Sequence, residues 1–255
     1  QSTHISSGES FSSSDLWASY SKHDYAEFNA FHTWVEYINR LLGALSGIPI
    51  LLLFSLALTS RKIIPIALAS GTLLSVLFVS WLGKLVVDGN LIPFSVTIHA
   101  VCALGILAFL VGMMQYLNGK RFSISKTLRA LILTSLALAF LQLILGTQVR
   151  EQVDILLEQG IARPDILDSL PIWWKIHRTA VWPLILIHLA WAIPLLKVND
   201  LRKYAGLTIG IIVTLATSGF LFVKLGLPAF IQPAHILLAF GLILVDLRIL
   251  LASKV

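Results

Sequence analysis

Seven long runs of apolar residues, separated by short polar stretches, constrain this 255-residue chain more than any other feature. About 20 apolar residues cross the hydrocarbon of a bilayer as a helix, and backbone polar groups there must be paired within the chain. Because 57% of the residues are hydrophobic and only 13% are charged, an ordinary soluble fold is excluded. The sequence therefore predicts an all-α, polytopic membrane protein. Its predicted spans are Val35–Ser60, Ile63–Val87, Ile92–Leu117, Thr127–Val149, Ile172–Leu196, Tyr204–Val223 and Leu227–Leu251.

The distribution of charge predicts the orientation of these spans. The turns after the first, third and fifth spans, together with the C-terminus, carry eleven basic residues and only two acidic ones, whereas the opposite side carries eight basic and eleven acidic residues. Since basic residues collect on the cytoplasmic side, the N-terminus is predicted to lie outside and the C-terminus in the cytoplasm. The net charge of +6 therefore reports membrane orientation, and no nucleic-acid partner is predicted.

An internal repeat relates the two halves of the chain. The tetrapeptide YINR opens the first span, and the similar KIHR opens the fifth. Asn39 of the first tetrapeptide precedes His99 by 60 residues, and His177 of the second precedes His235 by 58 residues. Repeats in membrane proteins often place a functional site between or within their halves. Because the fourth span has no counterpart and a complete duplication would have four spans in each half, this repeat predicts an eighth helix before Gln1.

Three parts follow from this repeat. Residues 1–33 are polar and rich in serine, and they are predicted to form an extracytoplasmic loop segment. Residues 34–120 are predicted to form the N-terminal bundle without its first helix, and residues 121–255 the C-terminal four-helix bundle. The single cysteine, Cys102, lies in an apolar run, so this chain can build neither an internal disulfide nor a thiolate metal cluster.

Three histidines occupy one predicted depth. His99, His177 and His235 lie in the first turns of spans that enter from the outer face. Ionisable side chains within a membrane are costly and usually mark a site, and imidazole is a common axial ligand of haem iron. Two helices that present histidine at equal depth can hold a haem between them. The alternative for each residue is an interfacial histidine that is hydrogen-bonded to a carbonyl or to water.

Four segments of the chain resemble the haem A synthase family. They are EYINRLL at Glu36–Leu42, QLILGTQVR at Gln142–Arg150, the pair His177-Arg178, and His235. The resemblance covers nearly the whole chain and implies eight transmembrane helices in two pseudo-symmetric four-helix bundles. It also implies an oxidoreductase that converts the C8 methyl group of haem O to a formyl group for cytochrome oxidase assembly.

The resemblance assigns roles to individual residues. It implies that His177 and His235 are the axial ligands of a haem b, and that His99 is a ligand in the N-terminal bundle, where haem O binds as substrate. Glu36 matches the acidic residue of the family's Glu-x-x-His-Arg motif, which is implicated in catalysis. The sequence departs from this motif at Asn39, where the family has its other N-terminal histidine. Asn39, a water molecule or His32, seven residues earlier, is left as the group opposite His99.

Basic residues near the outer boundary are candidates for contact with the haem propionates, because guanidinium groups suit carboxylates. These candidates are Arg40, Arg150 and Arg178. The alternatives are a snorkelling surface arginine for each and, for Arg40, an ion pair with Glu36 at the i to i+4 spacing. His188, deeper in the fifth span, is expected to form an interhelical hydrogen bond.

The resemblance also implies the location and the partners. The protein is expected in the cell inner (plasma) membrane, with the haem sites towards the extracytoplasmic side. Haem O, membrane lipid, a haem O synthase and an electron donor are the expected partners, and a homo-oligomer is left open. Two other functions fit the same residues. One is a b-type membrane electron-transfer cytochrome, and the other is a non-catalytic haem-binding assembly factor, which Asn39 favours.

Overall fold

The computed structural model describes residues 30–89, 94–228 and 230–254. Within them, seven helices are long and apolar enough to cross a membrane, so the predicted all-α, polytopic membrane fold is confirmed. These helices are α1 (Ala30–Thr59), α2 (Ile63–Gly89), α3 (Ser95–Asn118), α4 (Lys126–Glu158), α6 (Ile172–Leu195), α7 (Arg202–Lys224) and α8 (Ile231–Ala252). A 3₁₀ turn at Arg163–Asp165 and the short α5 (Ile166–Ser169) connect α4 to α6. The described residues also form two short strands, β1 (Phe122–Ser123) and β2 (Ser253–Lys254).

The chain forms two compact units, Gln1–Leu45 and Ser46–Val255. In the described part of the first unit, the N-terminal half of α1 has exposed side chains. Glu36 and Arg40 form an ion pair there, one helical turn apart.

Four helices of the second unit, α4, α6, α7 and α8, pack into a closed ring. α6 packs against α4 and α7, and α8 packs against the same two neighbours, so α6 and α8 lie diagonally across the ring. The interior is filled by apolar side chains that are almost inaccessible, including Ile132, Leu143, Trp191, Leu242 and Ile249. This C-terminal ring is the scaffold on which His177 and His235 lie.

The remaining helices of this unit pack outside the ring. α3 lies against α4 and α8, and α2 lies against α3. Gly71 allows the close approach of α2 and α3, because a Cβ atom there would lie only 2.8 Å from the ring of Phe109. Large apolar side chains remain exposed on the surface, for example Trp182 at 65% and Leu237 at 65%. In a helical membrane protein, hydrocarbon covers such a surface.

Three helix ends differ from the predicted spans by four residues or more, and one of them is the start of α1, at Ala30 instead of Val35. α4 ends at Glu158 instead of Val149, because its extension packs Val153 against Ile166 in a small buried cluster. α8 begins at Ile231 instead of Leu227, because Leu227 has a positive φ of 57° that is incompatible with a helix. Apolar patterning does not reveal either effect, since both arise at connections between helices.

A tertiary link joins the C-terminal residues to the connection between α3 and α4. β1 pairs with β2 in parallel, with Phe122 opposite Ser253. Arg129 donates a hydrogen bond of 2.7 Å to Ser253 Oγ, and Arg248 on α8 donates one to the side chain of Gln115 on α3. The sequence alone did not predict this link between the ring and α3.

Candidate functional site

The two diagonal helices of the ring carry His177 and His235 near the same end. His177 is the sixth residue of α6, and His235 is the fifth residue of α8. Since α7 returns the chain between them, α6 and α8 run in the same direction. The ring therefore brings together the two histidines that were predicted as a pair.

The side chain of His177 lies against the backbone of α4. A Cβ atom on Gly146 would lie 3.0 Å from His177 Cε1, so only glycine leaves the imidazole its full space. Gln142, one turn earlier on α4, donates a hydrogen bond of 2.7 Å to the His177 carbonyl oxygen. The Nδ1 atom of His177 is buried and has no hydrogen-bond partner among the described residues. A buried polar atom without a partner requires an explanation, and a bound group that accepts the ring nitrogen as a ligand is one.

The side chain of His235 is oriented by Ser218 on α7. Ser218 Oγ donates to the Leu215 carbonyl oxygen at 2.9 Å and lies 2.7 Å from His235 Nδ1. Because the serine has one proton and uses it on that carbonyl, its oxygen accepts the Nδ1–H of His235. The neutral ring is then left with its lone pair on Nε2, which has no hydrogen-bond partner in the described part of the chain. Metal-ligating histidines are commonly oriented in this way through their second nitrogen.

A haem fits the donor set of this site. Imidazole nitrogen is a common ligand of haem iron, and two histidines on diagonal helices offer such nitrogens near one end of the ring, one of them with its tautomer set by Ser218. Phe222 packs edge-on against His235, with ring centroids 5.2 Å apart, and adds an apolar wall. The residues present are therefore compatible with a haem held by His177 and His235.

The other predicted site residues are distributed over both units. Glu36, Asn39 and Arg40 lie in the first unit, each exposed on α1, whereas His99 lies in the second unit and is exposed on α3. The side chain of His32 lies outside the described residues. The N-terminal site that these residues were predicted to form therefore remains a prediction.

The three arginines have different surroundings. Arg40 is paired with Glu36, and Arg150 is paired with Asp154 one turn later on α4. Arg178 is exposed, and its guanidinium lies 5.6 Å from the ring centroid of Trp174. Of the three, Arg178 lies next to a candidate ligand and has no carboxylate partner among the described residues.

The structure adds a buried carboxyl group that sequence reasoning missed. Glu151 on α4 is only 6% exposed and accepts a hydrogen bond of 2.9 Å from the backbone of Phe94, immediately before α3. Nearby, Gln148 donates a hydrogen bond of 2.6 Å to Thr97, and Thr97 shares another of 2.8 Å with Thr147. These bonds join α4 to the first turn of α3, one turn before His99. A useful signal was the acidic residue directly after Arg150 at the end of an apolar span.

His188 confirms one prediction. It forms an interhelical hydrogen bond to Asp246, a residue that entered the sequence argument only as a charge.

These features define a class of protein, namely a polytopic helical membrane protein with two half-buried histidines near one end of a four-helix ring. The chain belongs to the COX15-CtaA family, described as cytochrome oxidase assembly protein, which it matches over residues 12–247. This match confirms the family that the sequence resemblance indicated. Membership associates the protein with haem handling for oxidase assembly. A search of curated proteins found no match.

Substitution of Gly146 tests the close contact with His177. We expect Gly146→Ala to weaken haem binding slightly and Gly146→Val to weaken it by about 5- to 150-fold, because overpacking costs about 1–3 kcal/mol. The measurement is haem titration of the purified protein followed by optical spectroscopy. Gly210→Ala and Gly210→Val on α7 are matched controls, because no atom lies within 4 Å of a Cβ there. Equal effects at both glycines would contradict the proposed contact.

Proposed function

We propose that this protein is a haem A synthase, which oxidises the C8 methyl group of haem O to a formyl group for cytochrome oxidase biogenesis. The observation that carries the proposal is the pair His177 and His235 on diagonal helices, in a chain that belongs to an oxidase assembly family. In this proposal the two histidines would hold a resident haem b. When bound, that haem supplies one-electron redox chemistry inside the membrane.

The N-terminal half of the chain is proposed to bind haem O, the substrate. His99 would hold it, and Asn39, water or His32 is the candidate for a second ligand. An oxygenase benefits from an iron with an open position, since dioxygen must bind there, so the replacement of a histidine by Asn39 is compatible with this chemistry. Glu36 is proposed to transfer protons at this site, which is the ordinary role of a positioned carboxyl group in such reactions.

Arg178 is proposed to contact a propionate of the resident haem. It follows His177 directly in the sequence, and its guanidinium is exposed over Trp174 without a carboxylate partner among the described residues. Arg40 and Arg150 can serve in the same way only by leaving Glu36 and Asp154, with which they are paired.

The proposed setting is the cell inner (plasma) membrane. The charge distribution supports a cytoplasmic C-terminus, which places His177 and His235 towards the extracytoplasmic side. Membrane lipid surrounds the helices in this arrangement. A haem O synthase that delivers the substrate and an electron donor are the proposed protein partners.

Product analysis tests the proposed reaction. The full chain is produced together with a source of haem O, and the extracted haems are separated by chromatography and identified by mass. We expect haem with a hydroxylated or formyl C8 substituent, and cells without the protein are the control.

The same experiment distinguishes a second function. An electron-transfer cytochrome of b type has no substrate haem and needs only the His177 and His235 pair, which lies on diagonal helices of the ring. Unchanged haem O together with an intact b-type spectrum would support that function and contradict the synthase.

A further inference from the structure

The ring contains a second polar pair, which the proposed chemistry does not use. His188 on α6 and Asp246 on α8 are both completely inaccessible, and the distance from His188 Nε2 to Asp246 Oδ2 is 3.0 Å. This bond directly links the two diagonal helices that carry His177 and His235. Ionisable groups at such a place are costly in an apolar interior, so the pair requires an explanation.

Helical geometry relates this pair to the candidate ligands. His188 follows His177 by 11 residues, and Asp246 follows His235 by the same 11 residues. Eleven residues make about three turns and advance about 16 Å, so each pair of residues lies on one face of its helix. The hydrogen bond between His188 and Asp246 therefore lies three turns below the histidine pair and joins the same faces of α6 and α8.

The hydrogen bonds of His188 show that the pair holds a proton. His188 Nδ1 lies 2.8 Å from the Leu184 carbonyl oxygen, which can only accept, so Nδ1 carries a hydrogen. The contact between Nε2 and Oδ2 then requires a second proton, carried either by the imidazole or by the carboxyl group. Both arrangements leave the pair with no net charge, which is the state that a low-dielectric interior tolerates.

Neighbouring aromatic packing holds His188 in place. Trp191 lies beside it, with ring centroids 6.0 Å apart, and donates a hydrogen bond of 3.1 Å to Ser135 on α4. Hydrogen bonds therefore join three helices of the ring, α4, α6 and α8, at this level.

We propose that His188 and Asp246 form a net-neutral, proton-bridged clamp that sets the register of α6 against α8 and thereby positions His177 and His235 for metal coordination. The inference rests on the proposed function for its effect on the haem. The clamp itself is a property of the helix pair. His188 and Asp246 are therefore positioning residues, since they lie three helical turns from His177 and His235.

Two substitutions of Asp246 separate the clamp from simple core packing. Asp246→Asn keeps the bond, because the amide can donate to His188 Nε2 while the pair stays neutral. Asp246→Leu keeps the number of side-chain heavy atoms and the branching at Cγ, but it cannot form the bond. Ile249→Ala, one turn further along α8, is the matched control, because it removes buried apolar atoms and leaves the pair intact.

The register of α6 against α8 is measured in the haem-free protein by pulsed electron paramagnetic resonance, which gives the distance between two spin labels. The labels are placed at Ile172→Cys on α6 and Leu237→Cys on α8, which are both exposed, in a Cys102→Ser background. In the full chain, we expect the distribution of distances between the two labels to broaden or shift with Asp246→Leu. It should remain unchanged with Asp246→Asn and with Ile249→Ala. An unchanged distribution in Asp246→Leu, or a change of the same size in the Asn variant, would overturn the clamp.

Haem binding is measured separately on the same variants without labels. We expect Asp246→Leu to weaken the affinity for added haem by about 10- to 100-fold, the usual effect of losing groups that orient a ligand, and to change the ferric low-spin resonance. If Asp246→Leu shifts the register but retains the affinity and the resonance, the positioning role is wrong. If the unsubstituted protein shows no histidine-ligated haem, the proposed function fails, whereas the distance measurement still decides the clamp.

Discussion

His177→Ala and His235→Ala are each expected to abolish the low-spin, b-type absorbance of the purified protein. Each change removes one of the two proposed nitrogen ligands, and the alanine methyl group offers no donor in its place. Phe222, which packs against His235, cannot replace the lost nitrogen, because a phenyl ring has no donor atom for iron. The loss of the low-spin haem signal is measured by optical and electron paramagnetic resonance spectra of the oxidised and reduced proteins.

Added imidazole provides a direct check on the same variants. The cavity left by either substitution can admit a free imidazole, which should restore part of the low-spin signal. His99→Ala is the matched control, because it removes a histidine from α3, outside the ring, and should leave the signal in place. Retention of the b-type band in both His177→Ala and His235→Ala would show that the ligands have been assigned wrongly.

Glu36→Ala is expected to stop the oxidation of haem O while leaving the C-terminal haem spectrum unchanged. A positioned acid or base typically contributes about 10²- to 10⁴-fold to a reaction rate, so the product should fall below detection. The measurement is the amount of hydroxylated and formyl haem in extracts that contain equal amounts of protein.

The structure provides a specific alternative to this role, because Glu36 is paired with Arg40 and both side chains are more than half exposed, at 56% and 57%. An exposed pair at this spacing stabilises a helix by only about 0.3–0.5 kcal/mol, which cannot account for a complete loss of product. Arg40→Met removes the pair and keeps the carboxyl group, so it should retain most of the oxidation. If Arg40→Met loses as much product as Glu36→Ala, the ion pair, or a role of Arg40 with the haem, explains the result instead.

The sequence predicted the features that depend on neighbouring residues along the chain. Apolar run lengths predicted the seven spans, because bilayer thickness sets the length of an apolar helix. The repeat spacing predicted that His177 and His235 share a depth, since a rise of about 1.5 Å per residue converts position into height. The family resemblance, carried by short motifs in the same spans, is confirmed by the match over residues 12–247.

Tertiary structure decided which helices face each other and what surrounds each polar group. Only packing placed α6 diagonally opposite α8, laid His177 on Gly146, and brought Ser218 to His235. These contacts join residues on different helices. Hydropathy reports how strongly each helix partitions into lipid but not which neighbour it selects, because lipid and protein interiors are similarly apolar.

The same distinction applies to the buried carboxyl groups. By sequence alone, Asp246 was one of two acidic residues counted on the predicted cytoplasmic side, and Glu151 was an unremarked neighbour of Arg150. The fold buries both and gives each a specific partner, His188 for Asp246 and the backbone of Phe94 for Glu151. The sequence alone determined a membrane protein with histidines at one depth. The packing of the helices decided which polar groups meet, because a buried polar group is stable only where the fold brings it a partner.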